Sequence, residues 1–117
     1  MGTTLYKHRF GPYFVSPLVA ALEKKDGKWK PVVCNYDTIG CINEPDDFVV
    51  EGTAIEMLYG ACETFYKPNL EAEELFKVAS NCLLSSLNRD ILSGWGAKVY
   101  ILTPDGLTIR TIKTRMD

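Results

Sequence analysis

The sequence predicts an α+β fold, and three features carry that expectation. Asp26-Gly27, set between two apolar runs, marks a β-hairpin. Leu75, Ala79, Cys82, Leu83, Ser86 and Leu87 recur at helical spacing and mark an amphipathic helix. Pro104-Asp105-Gly106, between an alternating run from Ala97 to Leu102 and a return from Leu107 to Ile112, marks a second hairpin. Strands, two helices, then strands again segregate rather than alternate, which argues against a parallel α/β sheet.

The elements follow in order. Residues 1 to 10 read as a short helical end stopped by Gly11-Pro12, since proline cannot continue a helix. Tyr13 to Leu22 is an apolar run of strand length, and Pro17 within it argues for an edge or a bulge. Trp29 to Tyr36 is the returning strand. Asn43 to Asp47 is a turn cluster, and Phe48-Val49-Val50 reads as a short third strand. Thr53 with Glu56 three residues on has the capping-box pattern, and the helix it opens ends before Pro68. Asn69 is the expected cap of the second helix, with Glu71, Glu73 and Glu74 near its positive end. Two amphipathic helices imply a sheet beneath them, one face of which this chain does not cover.

Composition sets the bounds. At 117 residues the chain is expected to be one domain at most, and 46% apolar with 24% charged residues is ordinary globular composition. A net charge of -2 carries no electrostatic footprint for nucleic acid. The basic run Arg110 to Arg115 alternates with Thr and Ile and reads as a solvated strand face. Cys34, Cys41, Cys62 and Cys82 form no C-x-x-C, so no zinc or redox motif is expected; each reads as a small buried hydrophobe in a reducing compartment. No metal or cofactor is expected, no signal peptide is expected since Met1 to Arg9 lacks an apolar core and carries Lys7, His8 and Arg9, and no apolar run reaches the ~18 residues of a membrane span. His8, between Lys7 and Arg9, has no marked partner for a triad.

The stretch Asn88 to Gly96 admits two readings. One is a helix end with Gly94 as its stop and Arg89-Asp90 as a surface pair. The other is a positioned polar cluster of Arg89, Asp90 and Ser93.

Several segments carry a resemblance when taken in order and spacing. They are Arg9-Phe10-Gly11-Pro12-Tyr13-Phe14, Asp37-Thr38-Ile39-Gly40-Cys41, Asp46-Asp47-Phe48-Val49-Val50 with Gly52-Thr53-Ala54, Tyr66-Lys67-Pro68-Asn69-Leu70, Asn88-Arg89-Asp90 with Ser93-Gly94-Trp95-Gly96, and Met116-Asp117. From about Leu5 to Asp117 the chain resembles the C-terminal part of the beta subunits of the eukaryotic 20S proteasome core, above all their non-catalytic type-3 class. The resemblance implies part of the four-layer αββα sandwich of N-terminal-nucleophile hydrolases, without its first strands and first helix. Residues 1–117 would then be a partial domain, the later half of the fold. It further implies a structural, non-catalytic role in ubiquitin-dependent protein degradation, in cytoplasm and nucleus. The implied partners are other beta subunits of the heptameric ring, alpha-ring subunits and the opposite beta ring, with no nucleic acid and no membrane.

Site residues follow from the same resemblance. In active family members an N-terminal threonine attacks the peptide carbonyl, helped by a lysine and an aspartate from the early half. The supporting Asp and Ser near a helix end match Asp90 and Ser93, and a Ser/Thr at the start of the third helix aligns with Thr53. These would form a vestigial supporting shell with no catalytic residue. In the type-3 class the loop matching Asp37 and Cys41 faces the neighbouring trypsin-like subunit and lines its substrate pocket, where a carboxylate would favour basic side chains. From the residues alone, Asp37 closes a turn and Cys41 packs; both readings stand. Gly2-Thr3-Thr4 resembles the Gly-Thr junction at which active precursors are cleaved, and a free N-terminal threonine is a workable nucleophile. The residues after it match the middle of the family, not its first strand. An active threonine peptidase and an independent small α+β binding module are the alternatives.

Overall fold

The computed structural model describes residues 1–117. The element order is α1 (Gly2–Lys7), β1 (Leu18–Lys25), β2 (Lys28–Tyr36), β3 (Ile42–Asn43), α2 (Ile55–Phe65), α3 (Ala72–Leu87), β4 (Ala97–Thr103) and β5 (Gly106–Ile112). Helices and strands segregate into an α+β arrangement of two compact units, Met1–Gly52 and Thr53–Asp117.

In the first unit β1 and β2 pair antiparallel from Leu18↔Asn35 to Lys25↔Lys28. The turn between them has positive φ at both central residues, 51° at Asp26 and 77° at Gly27. Such a turn matches the twist of the strands and keeps them paired up to its edge. That moves β1 off the expected Tyr13 to Leu22 run and onto the charged residues up to Lys25, leaving Tyr13 to Pro17 outside it. The Pro17 carbonyl accepts from the Tyr36 amide at 3.0 Å. Helix α1 ends at Lys7 with His8 as its C-cap, short of Gly11-Pro12.

The third strand is Ile42–Asn43, paired with Tyr36 and Asn35, and not Phe48 to Val50. At that expected strand Asp47 Oδ1 takes the Phe48 amide at 2.7 Å, turning it away from any ladder. Val50 instead serves the core, buried with Leu5 and Cys34. The start of α1 meets the turn before β3. A Cβ on Gly40 would lie 2.5 Å from the Gly2 carbonyl oxygen, and Gly40 has φ 92°, so this close approach needs glycine twice over.

In the second unit α2 starts with Ala54 as N-cap and no side-chain capping bond. The capping box at Thr53 does not form: Ala54 is the N-cap, so Thr53 stands one residue outside the helix, where its hydroxyl is donated to Asp90. Tyr66 is extended beyond the end of α2, and Pro68 follows, where a helix cannot continue. Helix α3 is capped by Glu71, not Asn69, whose φ of 57° is left-handed and cannot lead into the helix. Glu73 and Glu74 occupy its first turn, where the helix dipole favours anions.

Strands β4 and β5 form a two-stranded sheet that is not hydrogen-bonded to β1–β2–β3. Arg110, opposite Val99, ties this hairpin to α3: it donates two hydrogen bonds to Glu73, one of 2.9 Å, and its guanidinium lies 4.5 Å over the Phe76 ring. On the other face the pairs Tyr100/Ile109 and Leu102/Leu107 are all exposed. The buried stripe of α3 is Ser80, Cys82, Ser86 and Leu87, while Leu75 stays exposed.

Candidate functional site

Helix α3 ends at Leu87, and the chain then turns through Asn88 to Gly96 before β4 begins. Asp90 is buried and Arg89 is exposed, so the two are not a surface pair. The left-handed residues are Trp95 at φ 61° and Gly96 at φ 108°, and Gly94 is not the helix stop.

The Asp90 carboxylate collects three donors. Oδ2 accepts from Thr53 Oγ1 and, at 2.7 Å, from Ser93 Oγ; Oδ1 accepts from the Leu92 amide at 3.1 Å. The Thr53 hydroxyl bond comes first in holding the Asp90 carboxyl below its ordinary range, then the Ser93 hydroxyl. The Leu92 amide and the Arg115 charge add to them, and burial works the other way. The two hydroxyl oxygens lie 3.1 Å apart. A hydroxyl has one proton and two lone pairs, so with both protons on Asp90 the pair offers acceptors to an N–H or O–H donor. Thr53, Asp90 and Ser93 are thus brought together by the start of α2 and the loop after α3.

The cation of this cluster is Arg115, not Arg89. Its guanidinium donates to three main-chain carbonyls: Nη1 to Leu87, and Nη2 to Asp90 and, at 2.7 Å, to Ser93. Nε lies 3.2 Å from Asp117 Oδ1. The adjoining backbone is bound as well: the Trp95 amide donates to the Arg115 carbonyl at 3.2 Å, and the Gly96 amide to Thr114 Oγ1 at 2.6 Å. Sequence reasoning missed both residues by reading the Arg110 to Arg115 run as a solvated face. Arg115 stands 22 to 28 residues from its acceptors, and backbone carbonyls leave no mark in a sequence. Beside the cluster a groove of about 370 Å³ is lined by Ile91, Leu92, Ser93, Gly94, Trp95 and Asp117. Ile91 is 93% exposed and Trp95 77%.

Asp37 and Cys41 belong to the first unit. Asp37 Oδ1 accepts from the Ile39 amide at 3.0 Å and the Cys41 amide at 2.8 Å, closing the turn from within. Cys41 is exposed rather than packed, because the turn engages its amide and not its side chain. Cys34 and Cys82 are buried and Cys62 is half-buried. Burial, then the neighbouring Cys82 thiol, pushes the Cys62 thiol up to about 12. Thr3 lies inside α1. No group of three or more His, Cys, Asp or Glu is placed to hold a metal ion, and no helix is long and apolar enough to cross a membrane.

The family model for "Proteasome subunit" matches residues 1–102. "Proteasome subunit beta type-3" of Drosophila melanogaster is 55% identical over 117 residues, which is 100% of this chain and 56% of that protein. "Proteasome subunit beta type-3" of Saccharomyces cerevisiae is 50% identical over the same 117 residues and shares. "Proteasome subunit beta type-3-A" of Arabidopsis thaliana is 55% identical over 113 residues, 97% of this chain and 54% of that protein. The chain therefore spans a little over half the length of these curated relatives. With a family match across most of its length and type-3 identity of this order from end to end, the chain belongs to the proteasome subunit family.

Proposed function

We propose that the chain acts as part of a non-catalytic beta subunit of the 20S proteasome core, in ubiquitin-dependent protein degradation. The observation that carries this reading is the half-or-greater identity to type-3 beta subunits along the full chain. In this reading residues 1–117 are the later half of one domain, contributed to the four-layer αββα sandwich of N-terminal-nucleophile hydrolases. The exposed apolar face of β4–β5 supports it: Tyr100, Leu102, Leu107 and Ile109 side by side are what a surface awaiting a protein partner presents. The partners are other beta subunits of the ring, alpha-ring subunits and the opposite beta ring, in cytoplasm and nucleus.

Thr53, Asp90 and Ser93 then act as a vestigial supporting shell. Their hydrogen bonds are satisfied within Thr53–Asp117, so the cluster needs no nucleophile to hold its shape. Asp37 and Cys41 line a neighbouring subunit's substrate pocket, where the turn holds the Asp37 carboxylate in an exposed position. The experiment is co-expression with the remaining core subunits, followed by native mass measurement and fluorogenic peptide hydrolysis. Incorporation of the chain into the particle is the expected result; a stable free monomer that never incorporates would overturn the reading. Asp37→Asn keeps an acceptor for both amides and removes the charge. It should weaken hydrolysis after basic residues by a few-fold, as for loss of an exposed complementary charge, and unchanged hydrolysis would remove Asp37 from the pocket.

A further inference from the structure

We propose that Thr114 and Arg115 form a strap that holds the Asn88 to Gly96 loop in one conformation. Arg115 would be its positioning residue, linking the Asp90 cluster to the exposed Ile91-Leu92-Trp95 surface. Three independent features of the geometry converge on this.

The first is the acceptor set. Leu87, Asp90 and Ser93 mark the start, middle and later part of the loop, and one guanidinium takes a main-chain carbonyl from each. A planar guanidinium has five donors in a fixed fork, so seating it fixes the spacing of all three carbonyls together. A lysine ammonium is a point charge and cannot hold that spacing. The Leu87 carbonyl also lies at the negative end of the α3 dipole, where a cation is favoured.

The second is the backbone of the strap. The Trp95 and Gly96 amides donate to the Arg115 carbonyl and the Thr114 hydroxyl, at 3.2 and 2.6 Å. Strap and loop are therefore joined by main chain and side chain in both directions. Thr114 is buried, which holds the strap in place.

The third is strain. Trp95 is a bulky residue at φ 61°, a conformation it adopts only when its surroundings over-determine it. Its bond to the Arg115 carbonyl is the nearest such constraint. With the strap seated, the Trp95 indole stays in solvent at the rim of the groove while the Asp90 carboxylate faces Thr53. With the strap released, the Leu92 and Ser93 bonds to Asp90 still hold the first part of the loop, but Trp95 and Gly96 lose their partners.

The test is amide hydrogen exchange by NMR on the full chain, with Trp95 fluorescence in a Trp29→Phe background as a second probe. Arg115→Ala should speed exchange at the Trp95 and Gly96 amides by at least about tenfold, the scale expected when charge-assisted hydrogen bonds are lost. The middle of α3 and the β4–β5 ladder should keep their protection. Methylguanidinium added at low millimolar concentration should restore protection to Arg115→Ala and leave the unsubstituted chain unchanged. Arg115→Lys, which keeps the charge and most of the packing, should remain closer to the alanine variant than to the parent. If Arg115→Ala does not fold, Arg115→Lys alone decides, by the same two amides. Unchanged exchange at Trp95 and Gly96 would overturn the proposal, and so would full protection in Arg115→Lys. Loss spread evenly over β4 and β5, unrescued by methylguanidinium, would also overturn it.

Discussion

Ser86 lies one turn before Asp90, is 2% exposed, and its hydroxyl oxygen has no hydrogen-bond partner. A buried hydroxyl left unpaired costs about 1–3 kcal/mol relative to one that stays in water. Replacing serine by alanine inside a helix adds roughly 0.5 kcal/mol of propensity. Against these stands the small void left by one oxygen atom, which costs a fraction of the ~1 kcal/mol associated with a methyl-sized cavity. The balance predicts that Ser86→Ala stabilises the folded chain by about 1–2 kcal/mol, a rise in Tm of about 4 °C for each kcal/mol gained in a chain of 117 residues. Equilibrium urea unfolding followed by far-ultraviolet circular dichroism reads the change, with an unaltered slope expected because the same surface is exposed. Ser85→Ala, at the exposed neighbouring position, gains only the propensity. The difference between the two variants isolates the buried hydroxyl. If Ser86→Ala lowers the midpoint, or moves it no further than Ser85→Ala, the hydroxyl is satisfied in the folded chain and the reasoning is wrong.

Other expectations follow from the same contacts. The folded Asp90 carboxyl lies below its ordinary 3.8, so the unfolded chain takes up that proton first. Its contribution to stability is complete above that ordinary value and is lost as pH falls through the lower folded value; Asp90→Asn should flatten this acid limb in urea midpoints measured between pH 5 and pH 2. Native thiol labelling near pH 8 should modify Cys41 first, since it is exposed, and Cys62 far more slowly. A thiol pushed up to about 12 is ionised in only about one part in ten thousand at that pH, so early labelling of Cys62 would contradict its packing against Cys82. Thr53→Asp puts a carboxylate near the positive end of α2 but also a second carboxylate against Asp90. Lower stability at pH 7 than in the parent, partly recovered near pH 4, is expected; a gain at pH 7 would show that the helix dipole outweighs the cluster.

Much of the fold was legible because local chemistry decides it. Asp26-Gly27 has the residues a two-residue turn with positive φ demands, and the hairpin forms there. The 3.6-residue spacing around Cys82, Ser86 and Leu87 has no other good reading than a helix, and α3 runs through them. The errors in these elements fall where a neighbouring side chain or the backbone's own conformation took a group away from its expected use. Phe48 to Val50 has strand-like side chains, but Asp47 claims the Phe48 amide and the short strand forms at Ile42–Asn43 instead. Asn69 is a fitting helix cap by type, yet its left-handed φ moves the start of α3 to Ala72. In the site, Asp90 and Ser93 are three residues apart and visible as a pair. Arg115 was hidden because its partners are carbonyls, which every residue has.

Thr53 shows how such a competition is settled. As a helix cap its hydroxyl would donate nothing; it would accept from a backbone amide, a neutral hydrogen bond at an exposed helix end. Toward Asp90 it donates to an ionised carboxylate, and hydrogen bonds with one charged partner are roughly twice as strong as neutral ones. Donation to Asp90 leaves the lone pairs free, yet Ala54 is the N-cap of α2 and Thr53 stands one residue outside it, so of the two bonds only the one to Asp90 forms. The bond turned down is replaceable, since the first amides of α2 stand at an exposed end where water can serve them. The bond taken is harder to replace, because Asp90 is buried and its Oδ2 has only the Thr53 and Ser93 hydroxyls as donors. A local rule therefore fails at this position for the reason that makes the position matter. The strongest acceptor within reach lies 37 residues away, and the geometry of the cluster, not the sequence around Thr53, decides where its proton goes.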